Sequence, residues 1–190
     1  MTPRAAFGRP EPLLRPQFLS LYEGSFEERD SAGGTLAEAR FEYVRPGRLS
    51  DNTLVVLPAF RTAQGVFVGV EHRDLPAAQS FGGSSVMAAA PAWRLPPTVT
   101  HLSEIPHFLK AALRRDFNLD AGLVWELGGA YLPTAGVTPE VVYPFVVEVE
   151  AGQCPHAGLQ FVALSELTGQ SGLLRDAHLL VVTHRLAHAL

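Results

Sequence analysis

Two neighbouring stretches, DNTLVVLPAF (Asp51 to Phe60) and GVFVGVEHR (Gly65 to Arg73), are apolar at most positions. A strand with one face in water alternates apolar and polar residues, so runs like these read as strands buried on both faces. The sheet that holds them must be covered on each side. Farther on, Ile105, Phe108, Leu109, Ala112, Leu113 and Phe117 fall on one face at helical spacing, with Ser103 as N-cap and Pro106 tolerated in the first turn. Strands within LVWELGGAYL, VVYPFVVEV and GLQFVAL follow, and a second helix is expected from about Gly172 to Leu190. Strands, one internal helix, more strands and a terminal helix predict an α+β protein, a mixed sheet sandwiched by helices.

The N-terminal region divides in two. Met1 to Pro16 carries four prolines (Pro3, Pro10, Pro12, Pro16) and reads as a flexible arm over residues 1–16. FLSLYEGSFEERD and TLAEARFEYVRP flank SAGG, whose glycines suit a hairpin turn, so residues 17–47 form a strand extension ahead of a main domain at 48–190. Phe18, Leu19, Leu21, Phe26, Leu36, Phe41 and Tyr43 are more apolar surface than two strands can bury on a small core. A homodimer is therefore expected, with a second copy covering the hairpin.

Bulk properties exclude several classes. The 190 residues suffice for one sizeable core. A net charge of -4 gives no general affinity for nucleic acid. The single cysteine, Cys154, excludes an internal disulfide framework and suits a reducing cytoplasm. No apolar run is long enough to span a membrane, and the N-terminus lacks the pattern of a secretory signal.

The segment LPPTVTHLSEIPHFLKAALRRDFNL (Leu95 to Leu119) runs from a Leu-Pro turn through a polar loop into the amphipathic helix and an Asn-Leu corner. It resembles the Nudix box, G-x5-E-x7-R-E-U-x-E-E-x-G-U, with U a bulky apolar residue. With Leu113 and Leu119 on the closing U positions, Ala111 and Ala112 stand at Arg-Glu, Arg115 and Asp116 at Glu-Glu, and Asn118 at the glycine. Pro97 falls at the first glycine and Ser103, beside Glu104, at the early glutamate. The box has the family's shape and has lost most of its acids. Its neighbours resemble the ADP-ribose pyrophosphatase-like branch: EHRDLP, a strand ending in arginine; Trp93 to Pro97, where that branch has Glu-leu-pro-ala-gly; Glu126 to Glu150, a loop, an acid and an apolar strand; and the closing strand and helix, opened by Gly-x-x-x-Asp-Ala. The likeness runs over roughly Phe18 to Leu190.

The resemblance implies a Nudix α/β/α sandwich and hydrolysis of a nucleoside diphosphate linked to another group, assisted by magnesium on helix glutamates. Magnesium is a hard ion that needs several oxygen ligands converging on one place. Here the helix offers Ala111, Ala112, Arg115 and Asp116, with Lys110 and Arg114 nearby. No cofactor is therefore expected. If the protein is active, Glu104, Asp116 and Glu140 are the acids left to hold magnesium or manganese. Lys110, Arg114 and Arg115 either bind a diphosphate directly or form a solvated face. Arg73, at a strand end beside the implied cleft, either grips phosphate through paired hydrogen bonds or makes a surface salt bridge with Glu71 or Asp74.

Other candidates are weaker. His184 and His188 stand four apart on the last helix with His178 on the same element, but no acid or cysteine at metal spacing accompanies them in the sequence. Gly82-Gly83-Ser84-Ser85 lacks the lysine and context of a phosphate loop, and no serine or histidine fits a hydrolase nucleophile motif. Trp125 and Tyr131 read as core or interface residues. Three functions remain open: a nucleoside diphosphate binder with weak or no hydrolysis, a working pyrophosphohydrolase with relocated ligands, and an interaction domain with a closed cleft.

Overall fold

The computed structural model describes residues 5–7, 11–14, 19–29, 31–32, 34–46, 50–74, 86–99, 101–134, 137–156, 158–169, 174 and 176–190. Strands β5 (Asn52–Thr62) and β6 (Gly65–Asp74) are the apolar pair, and β5 is buried without interruption from Thr53 to Ala59. The central sheet runs β11 (Leu159–Ala163), β6, β5, β10 (Val141–Val149), β9 (Ala121–Glu126). Strand β10 is parallel to β5 and the remaining pairs are antiparallel, so the sheet is mixed.

Successive residues of β5 feed opposite cores. Leu54 and Val56 pack with helix α1 (Ile105–Phe117); Val55 and Leu57 pack with helix α3 (Ala177–Ala189) and with Leu164 at the head of α2 (Leu164–Gly169). The sheet is thus sandwiched as its composition requires. Helix α1 buries Ile105, Leu109, Ala112, Leu113 and Phe117, the face read from the sequence. Its start differs: a single 3-10 turn over Leu102–Glu104 precedes it, and Glu104 accepts from the backbone N–H of His101 at 3.0 Å, so Ser103 is not the cap. Helix α3 starts after Asp176, whose side chain accepts from Leu179 N at 2.7 Å, several residues later than expected.

Strands β5 and β6 pair only near their hairpin, from Ala59↔Val68 to Thr62↔Gly65. Beyond that they part. The fork is filled by β7 (Val86–Ala89) on β6 and β8 (Ala92–Arg94) on β5, two short strands in a stretch rich in small residues. Short side chains at Ala88, Ala89 and Ala90 let the chain turn back between the two arms.

The N-terminal sheet is separate. Strands β3 (Leu19–Arg29) and β4 (Thr35–Pro46) form the expected hairpin, in register from Leu19↔Pro46 to Arg29↔Thr35. Within the first sixteen residues, where an arm was expected, β1 (Ala5–Phe7) and β2 (Glu11–Leu14) pair with β3. Prolines are compatible with an edge strand because one side of it needs no N–H donors. Phe18 lies outside the described residues, as do the side chains of Leu19, Phe26, Leu36 and Phe41. The sheet is fastened to the rest by Val44 N donating to Val137 O at 2.8 Å and by the Arg45–Asp51 ion pair. No helix among the described residues is long and apolar enough to cross a membrane.

Candidate ligand site

The fork between β5 and β6 gathers the polar groups on the α1 side of the sheet. Along β6, Val66, Val68 and Val70 face the α3 core, so Phe67, Gly69, Glu71 and Arg73 face the α1 side. Glu71 and Arg73 are two apart on that face, and Arg73 Nε lies 3.1 Å from Glu71 Oε2. This is one of the ion pairs the sequence offered for Arg73. The two groups are close but not aligned for a hydrogen bond, and Glu71 Oε2 is buried without a directed donor. The approach is made through Nε, and the terminal nitrogens of Arg73 make no hydrogen bond among the described residues.

Across the fork, Trp93 projects from β8 to the same side and meets Phe117 edge to face at 6.0 Å. Its indole Nε1 donates to Asp116 Oδ2 at 2.8 Å. Arg115 grips the same carboxylate with two nitrogens, Nε to Oδ1 and Nη2 to Oδ2, both at 2.6 Å. These hydrogen bonds from Arg115 hold the Asp116 carboxyl below its ordinary value; burial opposes the shift and Trp93 adds to it. Asp116 takes part because it lies on the inward side of the helix's last turn. At about 100° per residue it falls in line with Leu109 and Leu113.

The other candidate residues are dispersed. Glu104 stands twelve residues before Asp116, about 18 Å along a helix at 1.5 Å per residue, which is too far to share a metal. Glu140 lies on the opposite face of the sheet, where it accepts from Thr53 Oγ1 and sits 2.9 Å from Arg94 Nη1. Arg114 pairs with Asp120 at 2.8 Å at the start of β9, and exposed Lys110 has no ion-pair partner among the described residues. Lys110 and Arg115 are five residues apart, about 140° around the helix, so the three cations of α1 do not share one face. Ala112, at a box glutamate position, is 1% exposed. Among the described residues no three His, Cys, Asp or Glu side chains stand where they can hold one metal ion. The donor set does not fit magnesium.

Of the residues gathered at this candidate site, Arg73, Arg115 and Asp116 were candidates from the sequence, whereas Glu71 was considered only as an ion-pair partner and Trp93 not at all. Glu71 was detectable, since two residues apart on a strand share a face. Nothing in the sequence pointed from Trp93 to Asp116, because that contact joins β8 to a helix end.

On the α3 side, Tyr131 Oη lies 2.8 Å from His178 Nδ1, and the Arg185 guanidinium sits 5.3 Å from the Tyr131 ring centroid. Arg185 also donates to Leu127 O and Gly129 O, fixing the turn after β9. Beside it an open groove of about 450 Å³ is lined by Trp125, Leu127, Arg185, His184 and His188.

The architecture has known counterparts. A solved structure described as an ADP compounds hydrolase matches with a TM-score of 0.60 at 12% identity, covering 100% of this chain and 94% of that one. The NUDIX domain of Shewanella oneidensis NrtR, complexed with ADP ribose, matches with a TM-score of 0.53 at 9% identity, covering 75% of this chain and 89% of that one. No family model and no curated protein matches the sequence. At such identities the likeness is one of fold: the chain has the Nudix α/β/α sandwich, with a mixed sheet and an N-terminal hairpin extension.

Proposed function

We propose that the protein binds a nucleoside diphosphate-linked small molecule, of the ADP-ribose or nucleotide-sugar kind, at the fork between β5 and β6, with weak or no hydrolysis. The observation that carries this reading is the state of the charged groups there. Asp116 is engaged by both Trp93 and Arg115, while the terminal nitrogens of Arg73 make no hydrogen bond among the described residues. An acid held by an arginine is a poor magnesium ligand, and an arginine with its fork open is a good phosphate ligand. The fold is compatible with such a ligand, since the NrtR NUDIX domain is complexed with ADP ribose.

A thermal-shift screen of nucleoside diphosphate sugars, with and without magnesium or manganese, tests the proposal, because a ligand of the native state raises the melting temperature. A shift that persists in chelator supports it. Shifts seen only with metal would favour a hydrolase with relocated ligands, and no shift with any compound would favour an interaction domain.

We also propose a homodimer built through the N-terminal sheet. Strand β4 spans Thr35–Pro46 and among the described residues pairs with no strand but β3, which leaves an edge for a second copy apart from the Val44–Val137 contact. Light scattering should give twice the chain mass of 20.5 kDa; a monomer at micromolar concentration would exclude this.

A further inference from the structure

The acids that remain at the fork have a use other than metal binding. Each lies against an arginine on the same side of the sheet: Glu71 against Arg73 through Nε, and Asp116 against Arg115 through Nε and Nη2. Asp116 is itself fixed by Trp93, which belongs to β8 and so to the sheet rather than the helix. Glu71 is anchored differently, by burial within a strand paired on both sides, with Leu159 as its β11 neighbour and Ala89 as its β7 neighbour. Both arginines are half-exposed or exposed, with side chains 40% and 64% accessible, while their acids are more enclosed at 19% and 33%. An enclosed carboxylate beside an exposed guanidinium limits its rotation. The terminal nitrogens of Arg73 and Nη1 of Arg115 make no hydrogen bond among the described residues.

We propose that Glu71 and Asp116 are positioning residues that aim Arg73 and Arg115 across the fork as a two-arginine clamp for a diphosphate. This deepens the function proposed above and rests on its placing of the ligand at the fork. Arg73 stands on β6 and Trp93 on β8, with β7 the strand next to β6, so at sheet spacing the two anchors lie on the order of 10–15 Å apart. Arginine side chains reaching inward from such anchors can both touch a diphosphate. Glu71 pairs with its arginine at Nε without a hydrogen bond, and no hydrogen bond occupies the bidentate edge of Arg73 among the described residues. Asp116 takes two nitrogens of its own and leaves one. Arg73 is therefore the principal grip and Arg115 the second contact. The pairing also explains why two acids persist in a site that holds anions: each is neutralised by its arginine, and the unengaged N–H groups still carry the attraction.

The test uses the intact protein, in chelator, and reads the arginine Nε–H signals by 15N NMR. In the wild type, 15N relaxation of the Arg73 and Arg115 signals, assigned from Arg73→Lys and Arg115→Lys, should show both side chains ordered, and the hydrogen-bonded Arg115 signal should also be protected from solvent exchange. Glu71→Ala should lose order at Arg73 alone and Asp116→Ala at Arg115 alone. Glu71→Asp, which keeps the charge of the ion pair, should restore part of it. Titration with inorganic pyrophosphate should shift both signals, and Glu71→Ala should weaken that binding about tenfold with Glu71→Asp recovering part of it. An Arg73 signal that is unchanged in folded Glu71→Ala overturns the positioning role, and pyrophosphate that moves neither signal overturns the clamp. Pyrophosphate binding without any ADP-ribose binding would leave the clamp standing and remove the nucleoside part of the proposed function.

Discussion

The indole of Trp93 and the carboxylate of Asp116 meet where sheet and helix join, Nε1 donating to Oδ2 at 2.8 Å. This contact ties the C-terminal turn of α1 to β8, and Arg115 holds the same carboxylate from the solvent side. A carboxylate with those donors would have to release them before it could coordinate a cation. The engagement of Asp116 by Trp93 and Arg115 therefore disfavours a metal there, as the proposed function requires.

Hydrolysis should accordingly be slow. Losing metal-assisted charge stabilisation costs several kcal/mol of barrier, or about three orders of magnitude in rate. Assays of ADP-ribose with magnesium should show turnover far below about one per second, the low end of common enzymes. Chelator-sensitive turnover at or above that level would contradict this. Reintroducing acids will not be symmetrical: Arg115→Glu should fold, whereas Ala112→Glu places a carboxylate at a site 1% exposed and should destabilise by several kcal/mol.

The Asp116 pair should show in the acid limb of stability. Its carboxyl is depressed in the folded state chiefly by Arg115, so it contributes stability above the ordinary value of 3.8 that is lost as pH falls through the lower folded value. Arg115→Met should be less stable than wild type by a constant margin above about pH 5, and that margin should shrink on further acidification. A margin independent of pH down to unfolding would show that Arg115 does not act through Asp116. Trp93→Phe should cost about 1 kcal/mol for the lost hydrogen bond, measured by denaturant unfolding.

Asn118 ends α1 in the left-handed region, at φ 57° and ψ 38°, and is the one non-glycine residue with positive φ among those described. It is also the position where the resemblance sets the box glycine. Asn118→Gly should keep or raise stability, and Asn118→Ala should lower it by about 1 kcal/mol, because a Cβ without Asn's local hydrogen bonding is disfavoured there. Equal melting temperatures for the two variants would contradict this account of the helix end.

Tyr131 should titrate late. Burial is the main cause raising its pKa, with Asp176 adding and the nearby Arg185 opposing. A raised folded value means that the stabilisation is fully present below the ordinary value of 10.0 and fades as pH rises toward the folded one. Ultraviolet titration should show a tyrosine ionising after the ordinary range, and Tyr131→Phe should remove that step. Loss of no late step in the variant would reassign it.

Much of the fold was legible because burial writes period and composition into the chain. The unbroken apolar runs of β5 and β6 demanded two covering layers, and the face of α1 from Ile105 to Phe117 was read correctly. Strands β7 and β8 were not legible: their alanine-rich sequence has weak strand preference, and pairing in the fork decides their conformation. The site was only partly readable. Arg73 and Arg115 were brought forward by position along the chain, whereas Glu140, offered as a metal ligand if the protein is active, stands on the other face with Arg94 and Thr53. It lies in the segment just ahead of β10, and no sequence motif encodes which face such a segment reaches.

Metal-independent binding through Arg73 is most directly measured by titration calorimetry with ADP-ribose in the presence of chelator, comparing wild type with Arg73→Ala. Wild-type binding without metal is expected, weakened about thirtyfold in the variant, which corresponds to about 2 kcal/mol for one charge-assisted bidentate contact. Equal affinities would remove Arg73 from the site, and binding that appears only on adding magnesium would contradict the central claim.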